Sequence, residues 1–232
     1  MSGGPATVRE EGGHEGHTGH PGGAWLPGLH EGLLERPQQH RSRRSAMQIL
    51  DAAKAVLARE GIDGFTMAAV SEASGISIGG IYGRFDGKQG LMRAVRDMVL
   101  TDLEEDLAER LRDPGPALAD AVRAFVACLS EHVACQALHP LAEHSADDEP
   151  LKARKLRSRE RLSASFREAA LRHRDEIRHE DPETALLTVF HMSLGGFLTA
   201  HGLGAGQGVP RSVEQLRDEL SRACLAYLTS SR

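Results

Sequence analysis

Apolar residues recur along most of the chain at intervals of three and four positions, the spacing that places them on one face of a helix. The pattern predicts helices at roughly 43–60, 66–73, 77–83, 88–111, 117–136, 137–145, 150–176, 182–203 and 211–230. No segment of the sequence alternates apolar and polar residues as a strand does. We therefore expect an all-α protein in which three short helices lead into a larger helical bundle.

Glycine, proline and hydroxyl residues mark the ends of these helices. Gly61 is expected to end the first helix, whereas Thr66 and Ser77 are expected to cap the second and third. These breaks divide the chain into a tail at 1–40, a helix-turn-helix domain at 41–87 and a larger helical domain at 88–232.

The tail is rich in Gly, His, Pro and Glu and lacks periodicity, so we expect it to be disordered. Its histidines fit either a solvated tail or weak metal binding; they are His14, His17, His20, His30 and His40.

Composition narrows the class of function. The 232 residues carry a formal charge of −5, but residues 41–100 contain nine basic and six acidic residues, net +3. Any nucleic-acid binding must therefore come from a local basic surface. Three cysteines, no long apolar run and no secretory signal predict a cytoplasmic protein without a disulfide framework or a membrane span.

The segment from Gly75 to Lys88 has the features of a DNA-reading helix: a glycine turn, a serine cap and a short helix with small residues. In a major groove about 12 Å wide, three glycines would let the backbone approach the bases; they are Gly79, Gly80 and Gly83. Ile78 suits a thymine methyl, and donors for phosphates or base edges are Ser77, Tyr82, Arg84 and Lys88. The alternative is a glycine-rich loop between packed helices.

Further phosphate contacts are expected from Thr66, at the start of the preceding helix, and from a basic arm before the first helix. That arm contains Arg41, Arg43 and Arg44.

Residues 43–96 resemble the DNA-binding region of the tetracycline-repressor (TetR) family. The matching strings are Ile49 to Ala53, Gly61-x-x-Gly64-Phe65-Thr66, Ala73-x-Gly75-Ile76-Ser77, Ile81-Tyr82-x-x-Phe85-x-x-Lys88, Leu91 and Ala94-Val95. The resemblance implies a homodimer whose first three helices bind DNA and whose remaining helices, at 88–232, bind a ligand and dimerise. It also implies phosphate contacts at the positions of Thr66, Tyr82 and Lys88. The residues at Ile78, Gly80 and Gly83 depart from the family pattern, so the operator sequence does not follow from it.

The predicted helix at 117–136 and its continuation carry a stripe of residues on one face: Phe125, Cys128, His132, Cys135 and His139. The stripe fits an apolar ligand pocket or plain core, with candidates Phe125, Cys128, Leu129, His132, Cys135, Leu162 and Phe166. It also fits a regulator that senses Zn²⁺, Cu⁺ or thiol oxidation through Cys128, His132, Cys135 and His139.

The last two helices carry apolar residues suited to dimerisation: Leu186, Phe190, Leu194, Phe197, Leu216, Leu220 and Tyr227. Burial of the same residues within one chain is the alternative. We favour the dimer because a two-fold protein reads a palindrome.

These observations predict a ligand-responsive transcriptional repressor without a cofactor. It binds a palindromic operator as a dimer and is released by a small-molecule effector. An all-α enzyme using Glu143, His144 and Asp147 is the alternative from another class, although no nucleophile motif or phosphate loop supports it.

Overall fold

The computed structural model describes residues 37–134, 149–202 and 212–230. Several predictions lie outside these residues: the tail histidines His14, His17, His20 and His30, the helix at 137–145, Cys135 and His139, and the trio Glu143, His144 and Asp147. Among the described residues, no helix has both the length and the apolar content needed to cross a membrane.

The described part of the chain is helical, as predicted, and it contains no strand. Its helices are α1 (Pro37–Gly64), α2 (Met67–Ser74), α3 (Ile78–Tyr82), α4 (Gly87–Arg112), α5 (Leu118–Ala134), α6 (Glu149–Leu171), α7 (Pro182–Gly202) and α8 (Val213–Thr229). A 3₁₀ turn, Arg174–Glu176, lies between α6 and α7.

The first helix differs from its prediction at its start. It begins at Pro37, so the three arginines expected in a basic arm before the first helix lie within the helix. Its regular part ends at Gly61, as predicted, because that glycine has a φ of 69°, a conformation that other residues rarely adopt.

Two hydrophobic cores share one helix. The first contains side chains from α1, α2, α3 and the N-terminal half of α4, with Ile49, Phe65, Ile81 and Leu91 fully buried. The second contains side chains from the C-terminal half of α4 and from α5 to α8. Because α4 belongs to both cores, it is the helix that joins the packing of α1 to α3 with the packing of α5 to α8.

Candidate nucleic-acid interface

Hydroxyl caps and a glycine turn set the geometry between α2 and α3. The Thr66 hydroxyl accepts a hydrogen bond from the Ala69 N–H at 3.0 Å, and the Ser77 hydroxyl accepts one from the Gly80 N–H at 3.2 Å. Between the helices, Gly75 has a φ of 68° and donates its N–H to the Ser71 carbonyl at 2.9 Å. Both predicted caps and the predicted turn are present.

Buried contacts fix the orientation of α3 on the preceding helices. Ile81 is fully buried in the first core. The Ser71 hydroxyl donates to the carbonyl of Ile76 at 2.7 Å, and the Gln48 amide donates to the carbonyl of Ser74 at 2.7 Å. The turn between α2 and α3 is therefore tied to α1 as well as to α2, which favours a helix-turn-helix over a mobile loop.

The opposite face of α3 is open to solvent. Ile78 is 43% exposed and Tyr82 is 56% exposed, and they lie one helical turn apart. Gly79 lies beside them, and a Cβ built on it would meet no atom within 4 Å. An exposed isoleucine and tyrosine around a glycine form a shallow surface that backbone or base edges can approach closely.

Two further exposed residues flank this face. Thr66 lies at the N-terminus of α2, and Lys88 lies in the first turn of α4. The Lys88 ammonium is 5.9 Å from the centre of the Phe65 ring, which holds the charge near the start of α4. A hydroxyl and an ammonium at two helix N-termini are well suited to phosphate oxygens.

Three residues predicted to contact DNA also make contacts within the domain. Arg84 turns back on α3 and donates from Nη1 to the carbonyl of Gly80 at 2.8 Å. A Cβ on Gly80 would lie 3.0 Å from Cγ2 of Ile76, so this glycine permits internal packing. Gly83 ends α3 and donates its N–H to the Gly79 carbonyl at 3.0 Å. The sequence alone gives the same prediction, close approach to DNA, for all three glycines. The packing distinguishes Gly79, which has open space beside it, from Gly80 and Gly83, which have near neighbours.

The arginines of α1 lie on its surface. Arg43 and Arg44 are both exposed. Arg44 lines a shallow cleft with Met47, Gln48 and Asp51 of α1 and with Ala73 and Ser74 of α2. Their guanidinium groups are thus carried by a helix, in a more fixed position than an extended arm would provide.

Five of the residues predicted to form a ligand pocket lie in the second core: Phe125, Cys128, Leu129, Leu162 and Phe166. The Phe125 and Phe166 rings are stacked with centres 4.2 Å apart, and the Phe125 and Phe190 rings have centres 5.9 Å apart. Cys128, Leu129 and Leu162 are also buried. An effector at this position would have to separate α5 from α6, because these side chains are already in contact.

An ion-pair network joins α4 to α6. Arg154 on α6 donates from Nε to Asp97 at 2.5 Å and from Nη1 to Glu104 at 2.5 Å, both on α4. Arg161 adds a bond to Glu104 at 2.9 Å. Burial alone would raise the pKa of Glu104, but the hydrogen bonds from Arg154 and Arg161 and the charge of Arg154 outweigh it and lower the pKa.

The face of α5 that carries Cys128 and His132 meets an acidic residue that the sequence did not single out. Asp106 on α4 lies 2.9 Å from Nε2 of His132 and 3.5 Å from Sγ of Cys128. The pKa of Asp106 is lowered mainly by its hydrogen bond from Arg110, against the opposing effect of burial. Helical spacing reveals which residues of α5 share a face, but not which residue of α4 is opposite.

Thiol redox sensing has no support among the described cysteines. Cys128 and Cys224 are fully buried free thiols. Burial raises the pKa of Cys128 to about 12, with a contribution from Asp106, and burial also raises the pKa of Cys224. Because the thiolate is the reactive form, both thiols are poorly suited to oxidation.

The predicted dimer residues separate into two groups. Leu186, Phe190 and Phe197 are at most 1% exposed within a single chain, so they cannot supply interface area. Leu194, Leu216, Leu220 and Tyr227 are partly exposed. The outer surface of α7 adds Leu187 at 48% and Met192 at 41% exposure, together with the exposed Gly195.

The N-terminal region matches a known protein family. Residues 49–95 match the model of the bacterial regulatory proteins of the tetR family. This match confirms the resemblance drawn from residues 43–96. A sequence comparison with curated proteins finds no match.

Solved structures share the fold over 80–82% of this chain. A putative TetR-family transcriptional regulator from Mesorhizobium loti MAFF303099 superposes with a TM-score of 0.65 at 22% identity, over 81% of this chain and 96% of the other. FadR from Bacillus subtilis, in complex with stearoyl-CoA, gives 0.59 at 17% identity over 80% and 98%. SmeT, the repressor of the Stenotrophomonas maltophilia multidrug efflux pump SmeDEF, gives 0.59 at 18% identity over 82% and 92%. The family match together with this fold supports a DNA-binding transcriptional regulator.

Proposed function

We propose that this protein is a dimeric, ligand-responsive transcriptional repressor that binds a palindromic operator through α3. The observation that carries the proposal is the exposed face of Ile78, Gly79 and Tyr82 on a helix locked by Ile81 within a tetR-family DNA-binding region.

On DNA, α3 would enter the major groove with Gly79 against the base edges and Ile78 against a thymine methyl. Thr66, Ser77, Tyr82 and Lys88 would contact phosphates or nearby base edges, while Arg43 and Arg44 would add charge along the adjoining backbone. Arg84, Gly80 and Gly83 would act indirectly, by shaping α3. With few side chains able to donate to base edges, recognition would depend partly on DNA shape.

Release from DNA would pass through α4. This helix packs against α6 by way of Arg154 and Glu104, and its first turn carries Lys88. A small molecule inserted between α5 and α6 near Phe125 would displace α6, and through the ion pairs it would displace α4. The resulting loss of DNA affinity cannot exceed the ligand's preference for the displaced arrangement. FadR, a transcriptional regulator with a similar fold, is an example of a small-molecule complex, with stearoyl-CoA.

The dimer would place two copies of α3 in successive major grooves. The α7 surface around Leu187, Met192 and Gly195, with Leu194, Leu216 and Leu220 at its edge, would form the interface between copies. To read a palindrome, the dimer would need its two recognition helices about 34–36 Å apart, one turn of the double helix.

A selection from a random library of DNA duplexes tests the proposal. The full chain should enrich a sequence with two inverted half-sites whose centres are about 10 base pairs apart, or a multiple of that spacing. Enrichment of no sequence would contradict DNA reading by α3, whereas enrichment of a single unrepeated half-site would contradict the dimer.

A further inference from the structure

Three potential metal ligands from two helices meet beside the second core. Asp106 extends from α4, and Cys128 and His132 extend from α5. Oδ2 of Asp106 lies 2.9 Å from Nε2 of His132 and 3.5 Å from Sγ of Cys128, and the three atoms lie within 4.8 Å of one another. DNA contact by α3 requires none of these side chains.

The separations of these atoms, from 2.9 Å to at most 4.8 Å, span the edge length of a zinc coordination tetrahedron. Ligand bonds of 2.0–2.3 Å at tetrahedral angles separate neighbouring ligand atoms by about 3.3–3.8 Å. Cys128 and His132 are four positions apart on α5 and so share a face, and the adjacent α4 supplies the third ligand. Only small adjustments are needed for all three to contact one ion.

We propose that Asp106, Cys128 and His132 bind a zinc ion between α4 and α5. Zn²⁺ takes nitrogen, sulfur and carboxylate oxygen together, whereas Cu⁺ favours sulfur ligands and Mg²⁺ favours oxygen. Water completes the tetrahedron. On binding, the Cys128 thiol loses its proton to solvent and the sulfur forms a bond to the metal.

The charges of the surrounding side chains balance the charge of a zinc ion. Arg110 donates to Oδ1 of Asp106 at 2.8 Å, which leaves Oδ2 directed at the α5 ligands. The same guanidinium is held by Glu131 on α5 at 2.6 Å. Two carboxylates, one thiolate, one guanidinium and one Zn²⁺ sum to zero charge, so the metal leaves no uncompensated charge in this partly buried place. Arg110 thus serves as the outer group that orients the aspartate.

A metal at this position connects α4 to α5. Asp106 is 18 residues along α4 from Lys88, about 27 Å at 1.5 Å per residue. Zinc would fix the C-terminal half of the helix whose first turn contacts DNA. This consequence rests on the proposed function, but metal binding itself does not, and the two are measured separately.

Cobalt is the probe for the site. Co²⁺ replaces Zn²⁺ in tetrahedral sites and gives a thiolate-to-metal charge-transfer band together with visible bands of four-coordinate cobalt. The histidines of the tail can bind cobalt but cannot give a thiolate band. The full untagged chain, without DNA, should show the charge-transfer band at one cobalt per chain, and added Zn²⁺ should abolish it.

Variants locate the ligands. Cys128→Ser should remove the band, whereas Cys224→Ser should keep it, because the Cys224 sulfur lies 3.5 Å from the Ser193 hydroxyl and is not one of the three grouped ligands. Asp106→Asn and His132→Gln should each weaken cobalt affinity by about tenfold or more. Circular dichroism of each variant checks that the fold persists.

Two results would overturn the proposal: absence of a thiolate band in the wild-type protein, or a band that survives Cys128→Ser and disappears in Cys135→Ser or Cys224→Ser. Either result would leave a hydrogen-bonded Asp106–His132 pair without a metal role. DNA binding would be unaffected by that outcome, so failure of the zinc site and failure of the proposed function remain distinguishable.

Discussion

Arg154 on α6 and Glu104 on α4 form a largely buried ion pair, with side chains 14% and 10% exposed and an Nη1–Oε1 distance of 2.5 Å. The pair connects the helix that adjoins the predicted effector pocket to the helix that leads into the DNA-binding region. Since both charges are removed from most of the solvent, either one left alone is costly. The pair is therefore expected to hold α4 and α6 in a single arrangement.

Replacement of Arg154 should destabilise the fold. In Arg154→Ala, Glu104 and Asp97 lose their partner, and the free energy of unfolding should fall by about 3 kcal/mol. Urea denaturation followed by circular dichroism measures this loss. The matched control is Arg161→Ala, whose side chain is 67% exposed and should cost less than about 1 kcal/mol. Equal losses in the two variants would show that burial of the Arg154 pair does not matter.

Acid should weaken the same network. The pKa of Glu104 is below its ordinary value of 4.5 in the folded protein, so the unfolded chain binds the proton more readily. Its stabilising contribution is complete above pH 4.5 and is lost as the pH falls through the lower, folded value. Thermal melting from pH 6 downward should show a smaller loss of Tm in Glu104→Gln than in the wild-type protein below pH 4.5. Parallel curves would contradict the assignment.

Much of this fold is predictable from sequence because local signals and core periodicity agree. Side-chain hydroxyls predict helix starts at Thr66 and Ser77, and backbone freedom predicts a helix end at Gly75. The structure has all three. The prediction was less accurate where tertiary packing decides. At the end of α2, for example, Ala73 is exposed and the polar Ser74 is buried, which apolar spacing alone does not predict.

Two glycines of α3 should respond oppositely to the addition of a methyl group. In Gly79→Ala the methyl meets open space, so the fold should gain up to about 1 kcal/mol from helix propensity. The same methyl lies on the face expected to meet DNA, so operator affinity should fall about tenfold. Melting temperature and fluorescence anisotropy measure the two effects.

The control for that experiment is Gly80→Ala. Its methyl would lie 3.0 Å from Ile76 and 3.2 Å from the Ser77 hydroxyl, so the fold should lose about 1 kcal/mol through overpacking. If Gly79→Ala is more stable and binds DNA as tightly as the wild-type protein, the exposed face of α3 does not contact DNA.

The outer face of α7 should control the oligomeric state. A charge introduced by Leu187→Glu would be buried between copies without a partner, so the dimer should dissociate at micromolar concentration. Sedimentation velocity measures this. Leu156→Glu on α6 is the control, since Leu156 is 58% exposed and lies outside the proposed interface. A monomeric wild-type protein, or dissociation of both variants, would refute the α7 interface.

The sites were less predictable than the fold because they depend on contacts between helices. Helical spacing identified Cys128 and His132 on one face of α5, but Asp106 is 22 residues before Cys128 and joins them only through the crossing of α4 and α5. Likewise, Phe190 and Phe197 have the composition of an interface, and only the packing of α7 against α5 and α8 assigns them to the core.

The most direct test of DNA reading is a salt titration of operator binding, using the duplex enriched by the wild-type protein. The double variant Tyr82→Ala/Lys88→Ala is compared with Arg157→Ala/Arg159→Ala, which removes exposed charge from α6. We expect Tyr82→Ala/Lys88→Ala to bind the operator at least about tenfold more weakly than the wild-type protein does. Its salt slope should be about 2 smaller, since each of two protomers loses the Lys88 contact to phosphate. The control should match the wild-type protein. Unchanged affinity and slope in Tyr82→Ala/Lys88→Ala would contradict the account.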